Sequence, residues 1–269
     1  MSDEDREQKL SKINFNAARY WDYILGGHYN FDVDRVAGDL IMKVAPDARL
    51  GALANRSFLR RAVRFLAQQG IDQFIDLGSG IPTVGNVHEI AQHVNPEART
   101  VYVDKDPVAV THSRSILQDD SKTTVIEENL LNFAEMINEK EVSSLIDTSK
   151  PIGILLISVL HFVPDDIRAY GILKTILSVI PSGSYVAISH FSLEKAPENT
   201  IKQLNLLGKS SSDSSKPRNR VEIERFFDGF RLVDPGVVYV PSWRPEAEDE
   251  LLVKEPERAL SYCGVGTKE

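Results

Sequence analysis

The chain carries a single cysteine, Cys263. That excludes an internal disulfide and a cysteine-based metal site, and it fits a reducing, cytoplasmic setting. Long apolar runs are also missing. The longest, Ile152 to Leu160, is interrupted by Gly153 and Ser158 and has strand length, well short of the ~18 residues a membrane span needs. Residues Met1 to Lys12 are charged and polar; they do not read as a signal peptide and are expected to be a disordered tail. There is no basic excess. The net charge of −8 argues against a nucleic-acid partner, and the cationic run from Arg56 to Arg64 has the helical spacing of a solvated face. No His/Cys/Asp/Glu set has metal-ligand spacing, since His88 and His93 miss the i, i+4 zinc pattern. A Gly-x-Ser-x-Gly elbow and internal repeats are absent too. What remains is 269 residues of ordinary composition, 42% hydrophobic and 26% charged, enough for one large domain or one domain with an appendage.

The informative stretch runs from Phe74 to Pro107. Phe74-Ile75-Asp76-Leu77-Gly78-Ser79-Gly80 is an apolar run, an acid and a glycine turn; Val101-Tyr102-Val103-Asp104-Lys105-Asp106-Pro107 is a second run ending in acids. This opens an α/β nucleotide-binding sheet whose ligand crevice lies at the strand ends. Gly78 and Gly80 permit positive φ and close backbone approach. Asp104 ends its strand where a carboxylate can accept hydrogen bonds from two ribose hydroxyls. A dinucleotide fingerprint requires a third glycine where this chain has Thr83, so that pattern fails. The Asp-x-Gly-x-Gly form fits S-adenosylmethionine (SAM), which has no pyrophosphate to cradle but has an amine that Asp76 can help bind. The competing reading is a tight strand-to-helix turn without a ligand.

Periodicity organises the rest. Residues Ile13 to Asn30 are aromatic-rich and broken at Gly26-Gly27, and helices are predicted at Asp32–Val44 and Ala52–Gln69. Strands are predicted at Gln73–Leu77, Thr100–Val103, Thr123–Glu127, Ile152–Ser158 and Tyr185–His190, alternating with helices near Asn86–His93, Pro107–Leu117, Leu131–Lys140 and Asp165–Val179. Such alternation specifies a mostly parallel sheet covered on both faces. Then come a helix over Pro197–Leu207, a Ser/Lys-rich loop over Gly208–Asn219, a short helix over Val221–Phe227, and closing strands at Phe230–Val233, Val237–Val240 and Ser261–Gly266.

These residues resemble the class I SAM-dependent methyltransferases. More narrowly, the chain is similar to a bacterial S-adenosyl methyltransferase family once catalogued as a domain of unknown function. The phrases that carry the likeness include Ala18-Arg19-Tyr20-Trp21-Asp22-Tyr23-Ile24-Leu25-Gly26-Gly27, Asn55-Arg56-Ser57-Phe58-Leu59-Arg60-Arg61-Ala62-Val63 and Pro82-Thr83-Val84-Gly85-Asn86-Val87-His88-Glu89. Later ones are Val159-Leu160-His161-Phe162-Val163-Pro164, Glu224-Arg225-Phe226-Phe227-Asp228-Gly229-Phe230 and Trp243-Arg244-Pro245. The resemblance implies a Rossmann-like α/β sheet of seven strands, mostly parallel with the last antiparallel, and an N-terminal helical cap. The cap covers residues 13–70 and forms one unit with a SAM-binding domain over 71–269. It implies SAM as cofactor, S-adenosylhomocysteine (SAH) as product, and a small-molecule acceptor with an O, N or S nucleophile. It also implies no membrane partner. Asp76, Gly78, Ser79 and Gly80 match the first SAM motif, and Asp104 with Lys105 the ribose position. Asn129 and Leu130 stand where an acid commonly contacts the adenine amino group, and Ser158 ends the fourth strand. From the cap come Arg19, Tyr23 and Gly26. Pro82 replaces a third glycine, and Ser210–Ser215 departs from the family's more basic loop.

Methyl transfer from a sulfonium is an in-line displacement that needs alignment and exclusion of water. A base is needed only where the nucleophile carries a proton. His161, after the fourth strand, is the candidate base, set against a histidine that shapes the loop. His190 is either pocket lining or core edge. Tyr20, Tyr23 and Tyr29, with His28, either close over the sulfonium or pack the cap. Arg56 is placed to pair with a carboxylate, Asn55 to cap or pin its helix, and Trp243-Arg244 to wall the pocket or anchor the core. A SAM-binding sensor without catalysis is the alternative to an enzyme, and a nicotinamide-dependent oxidoreductase is a further rival.

Overall fold

The computed structural model describes residues 15–82, 85–208, 214–247 and 251–269; the expected tail and Thr83 lie outside the described residues. Successive side chains of a strand point to opposite faces, and the apolar runs use both. In β1 (Gln73–Leu77), β2 (Arg99–Asp104), β4 (Gly153–Ile157) and β5 (Tyr185–Phe191), Ile75, Val101, Ile154 and Val186 enter one core. Phe74, Tyr102, Leu155 and Ala187 enter the other. A sheet buried on both sides is what parallel strands require.

The strand order is β3-β2-β1-β4-β5-β8-β6, with β3 at Thr123–Glu127, β6 at Arg231–Leu232 and β8 at Ser261–Thr267. Strands β1 to β5 pair parallel, and β8 runs antiparallel beside β5. An eighth strand, β7 (Val238–Tyr239), pairs with β8 through Cys263 and Tyr262. The closing strands read from the residues therefore all form, one more than the seven the resemblance implies. The sheet is the mostly parallel, Rossmann-like arrangement that the resemblance implies.

Helices α1 (Ala17–Ile24) and α2 (Asp32–Val44) form the cap. Asn16 caps α1 by accepting from the Arg19 amide at 3.2 Å. Helix α3 (Ala48–Gln68) starts earlier than its apolar pattern indicates and lies in the layer against the sheet, burying Phe58, Leu59, Ala62, Val63 and Leu66. The cationic run along it is not a solvated face throughout. Arg61 is buried and donates to the carbonyls of Val240 (2.7 Å) and Trp243 (2.8 Å), satisfying groups that burial would otherwise penalise. Trp243 is fully buried, with Phe58 and Phe65 edge-on to it, so it anchors the core.

Helix α4 spans Val87–Val94 and α5 spans Pro107–Leu117. Asp106 caps α5, its Oδ1 accepting from the Val108 amide at 2.8 Å, with Pro107 in the first turn. The single helix expected over Leu131–Lys140 is broken into α6 (Phe133–Met136) and α7 (Lys140–Ser143). Three-residue bonds, from the Asn138 amide to Glu135 and the Glu139 amide to Met136, tighten and end α6. Helix α8 (Asp166–Val179) is capped by Asp165, and α9 (Glu198–Gly208) and α10 (Arg220–Glu224) follow β5. Among the described residues no helix is long and apolar enough to cross a membrane.

Candidate active site

A cavity of about 270 Å³ opens where the carboxyl ends of β1, β2 and β4 meet the cap. This is the crevice that open α/β sheets build at the turning point of their strand order. Each wall follows from a local rule. Leaving β1, the chain turns through Gly78 (φ +72°) and Gly80 (φ +62°). A Cβ on Gly78 would stand 2.2 Å from a Val159 methyl, whereas one on Gly80 would meet nothing within 4 Å. Gly78 thus permits close strand-to-loop approach, and Gly80 leaves open room at the site. The Asp104 carboxyl holds this turn: Oδ2 accepts from the Gly80 amide at 2.7 Å and Oδ1 from the Asp106 amide at 2.9 Å. Each oxygen keeps a lone pair for a further donor. Burial raises the pKa of Asp104, while those two amides work against the rise.

Asp76 is buried at the base of the cavity. Burial pushes its carboxyl up to about 7, with Arg56 opposing and Asp104 adding to the shift. Arg56, half-buried on the same wall, has its own pKa lowered by burial and supported by Asp76. Among the described residues no carboxylate lies within ion-pair distance of Arg56. Asn55 stands beside it with a buried Oδ1 that has no partner among the described residues.

The structure brings Asp76, Gly78, Ser79, Gly80, Asp104, Lys105, Asn129, Leu130 and Ser158 to one cavity. Asn129 spends a lone pair of Oδ1 on the Leu131 amide at 3.0 Å, capping a short turn. The neighbouring Glu128 also lines the wall, an acid that the family template, reading one position later, passed over. Ser158 holds φ +54°, fixed by bonds from its amide to the Ser189 carbonyl and Oγ.

Three cap residues lie off the cavity wall. Arg19 bridges Asp34 at 3.0 Å and Asp106 at 3.1 Å, tying α1 to α2 and to the turn after β2. Tyr23 donates to Asp39 at 2.8 Å and rests on Gly38 of α2. Gly26 (φ +87°) closes the turn after α1 and faces a second hollow shared with Tyr23 and the exposed His28. Instead, α1 presents Asn16, Trp21, Asp22 and Leu25 to the cavity. Asp22 is 4% exposed; its Oδ2 accepts from the Tyr29 amide (2.8 Å) and the Asn30 side-chain amide (2.7 Å), and its Oδ1 has no partner among the described residues. The i, i+4 spacing from Trp21 to Leu25 was the signal for this face.

His161 is 4% exposed and lies behind the wall, against Phe162, His190 and Phe191. Burial, with Arg218 nearby, takes its pKa down to about 3. It is a neutral ring off the cavity, poorly placed to receive a substrate proton. His190 belongs to the same buried cluster, between Arg218 and Phe226.

A model of the S-adenosyl methyltransferase family matches residues 3–269. A Thermobifida fusca protein provisionally called a methyltransferase is 37% identical, with a TM-score of 0.88 over 97% of each chain. A DUF574-family protein from Streptomyces avermitilis is 36% identical, with a TM-score of 0.89 over 97% of this chain and 100% of that one. An O-methyltransferase family protein from Burkholderia thailandensis shares 14% identity and a TM-score of 0.52 over 84% of this chain and 62% of that one, a likeness of fold alone. A search of curated proteins gives no match.

Proposed function

The chain belongs to the S-adenosyl methyltransferase family, with SAM as its cofactor, and on that premise we propose that it methylates a small-molecule O, N or S nucleophile held beneath the cap. The observation that carries this reading is the shared cavity: the Asp76 to Gly80 turn and Asp104 line the same cavity as Trp21, Asp22 and Phe162. The residues present fit the cofactor. Gly80 leaves room for a ligand where its Cβ would stand, Asp104 retains acceptor capacity for ribose hydroxyls, and among the described residues no carboxylate is within ion-pair distance of Arg56. When bound, SAM supplies a methyl group on a cationic sulfur.

The chain's part is alignment. Asp104 and the glycine turn fix the nucleoside end, Asp76 and Arg56 take the amine and carboxylate of the amino-acid end, and Trp21 with Phe162 close the acceptor end against water. Holding reactants in line can supply several kcal/mol of a barrier, and no titratable base is needed for a nucleophile that is already unprotonated. Acidic residues outnumber the cations Arg56, Lys105 and Arg168 on the wall, which disfavours a polyanionic acceptor and supports a small one.

The test incubates the protein with SAM and a panel of small amines, hydroxyl compounds and thiols, and measures SAH. Acceptor-dependent SAH that Trp21→Ala or Phe162→Ala reduces is the expected result. Tight SAM binding with no acceptor-dependent SAH from any class would remove the small-molecule reading.

A further inference from the structure

Arg218 is 1% exposed, and no motif in the sequence marks it. Its backbone amide meets the Phe191 carbonyl at the end of β5. Its guanidinium then reaches into the back of the cavity wall. Nη1 donates to the Leu160 carbonyl at 3.3 Å, and Nη2 to the Val163 carbonyl at 2.9 Å. Nε and Nη2 both bond Asp166 Oδ1, at 3.2 and 2.9 Å. An arginine has donors only, so His190 Nε2, 3.0 Å from Nη1, must accept; His190 Nδ1 then carries the proton and donates to the Phe191 carbonyl at 2.7 Å. Phe226 closes the ring of contacts, under the guanidinium.

The carbonyl partners flank Phe162, and Phe162 with Val163 and Pro164 forms the cavity wall between β4 and α8. The other end of that segment is pinned separately, at Ser158 by Ser189. The backbone of the same turn is held once more where the Lys216 amide donates to the His161 carbonyl at 2.8 Å. Lys216 Nζ also shares Asp166 at 2.7 Å. A planar fork can bond two carbonyls and a carboxylate at once, which a lysine ammonium cannot reproduce in one geometry.

We infer that Arg218 is a positioning residue for the reaction: from outside the cavity it sets the placement of Phe162 and Val163, and so the fit of the bound ligand. This rests on the cavity being the SAM site. Three measurements on the full chain test it: SAH affinity by calorimetry, amide hydrogen exchange at residues 160–163, and thermal unfolding without ligand. Arg218→Lys and Arg218→Met are compared with Asp47→Asn, which breaks the remote Asp47–Arg258 pair. Both Arg218 variants should bind SAH at least tenfold more weakly and exchange faster at 160–163, lysine giving no rescue. Asp47→Asn should lose thermal stability and keep its SAH affinity.

A folded Arg218 variant that binds SAH within twofold of the parent, or that weakens with unchanged exchange at 160–163, overturns the inference. Should neither variant fold, Asp166→Asn serves, since it removes the partly exposed counter-charge of Arg218; about threefold weaker SAH binding with faster exchange is expected, and no change overturns the proposal. If SAH fails to protect residues 76–80 and 104–106 of the parent protein, the site assignment itself fails, whatever the variants do.

Discussion

Gly27→Ala is expected to damage the cap through one contact alone. Its Cβ would stand 1.9 Å from Asp22 Oδ1 and 2.5 Å from its Cγ. Gly27 is not among the positive-φ residues, so the backbone accepts alanine and the clash is the whole effect. The carboxyl has no free direction, because Oδ2 is held by the Tyr29 amide and the Asn30 side chain. Displacing it forfeits two hydrogen bonds at about 1.5–3 kcal/mol each, offset by about 0.4–1 kcal/mol from the stiffer unfolded chain. The net loss is about 2–5 kcal/mol, which at about 2–4 °C per kcal/mol lowers Tm by roughly 4–20 °C. Asp22→Ala deletes the three atoms nearest the new Cβ, so in that background Gly27→Ala should cost far less than in the parent. Urea unfolding of the parent, both single variants and the double variant completes the cycle. Single-variant losses that add to within about 0.5 kcal/mol, or a Gly27→Ala protein as stable as the parent, would refute the packing argument.

Asp104→Ala should weaken SAH binding by about 10–100-fold, about 1.5–3 kcal/mol for lost bonds to a charged group, and calorimetry reads it directly. Because burial raises the folded Asp76 pKa to about 7, the native state keeps a proton the unfolded chain releases near pH 4. Stability without ligand should therefore fall from about pH 4 to 7, while affinity for SAM, whose ammonium favours the ionised acid, should rise; Asp76→Asn should flatten both trends in pH-dependent unfolding and calorimetry. Gly78→Val should abolish SAH binding, given φ +72° and the 2.2 Å approach to Val159, and a variant that binds normally would place the ligand elsewhere. Trp243 is buried in the core while Trp21 faces the cavity, so a SAM-dependent change in tryptophan emission should vanish in Trp21→Phe; persistence of the change would detach α1 from the ligand.

The sheet was legible in the sequence because its signals are local. Contiguous apolar runs, Asp106-Pro107 and the Gly78–Gly80 turn each specify their own few residues, and each forms where the pattern put it. The cap was harder to read for a physical reason. Arg19, Tyr23 and Gly26 have their purposes in partners distant along the chain or in one dihedral angle, while the cavity face of α1 falls to Trp21, Asp22 and Leu25. His161 follows the right strand, but the short turn at Leu160–Phe162 sends its ring into the core. Arg218 had no local signature at all, because its partners at Leu160, Val163 and His190 are scattered in sequence.

The Arg19 ion pair with Asp106 joins residues 87 positions apart, and Asp106 also caps α5 and lends its amide to Asp104. The cap and the turn after β2 are consequently not interchangeable parts. A chimera that takes its first fifty residues from one relative and its sheet from another inherits this joint only if both parents carry a compatible charge at each end. Recombination between family members should therefore succeed more often at breakpoints that keep α1 and the turn after β2 from the same parent.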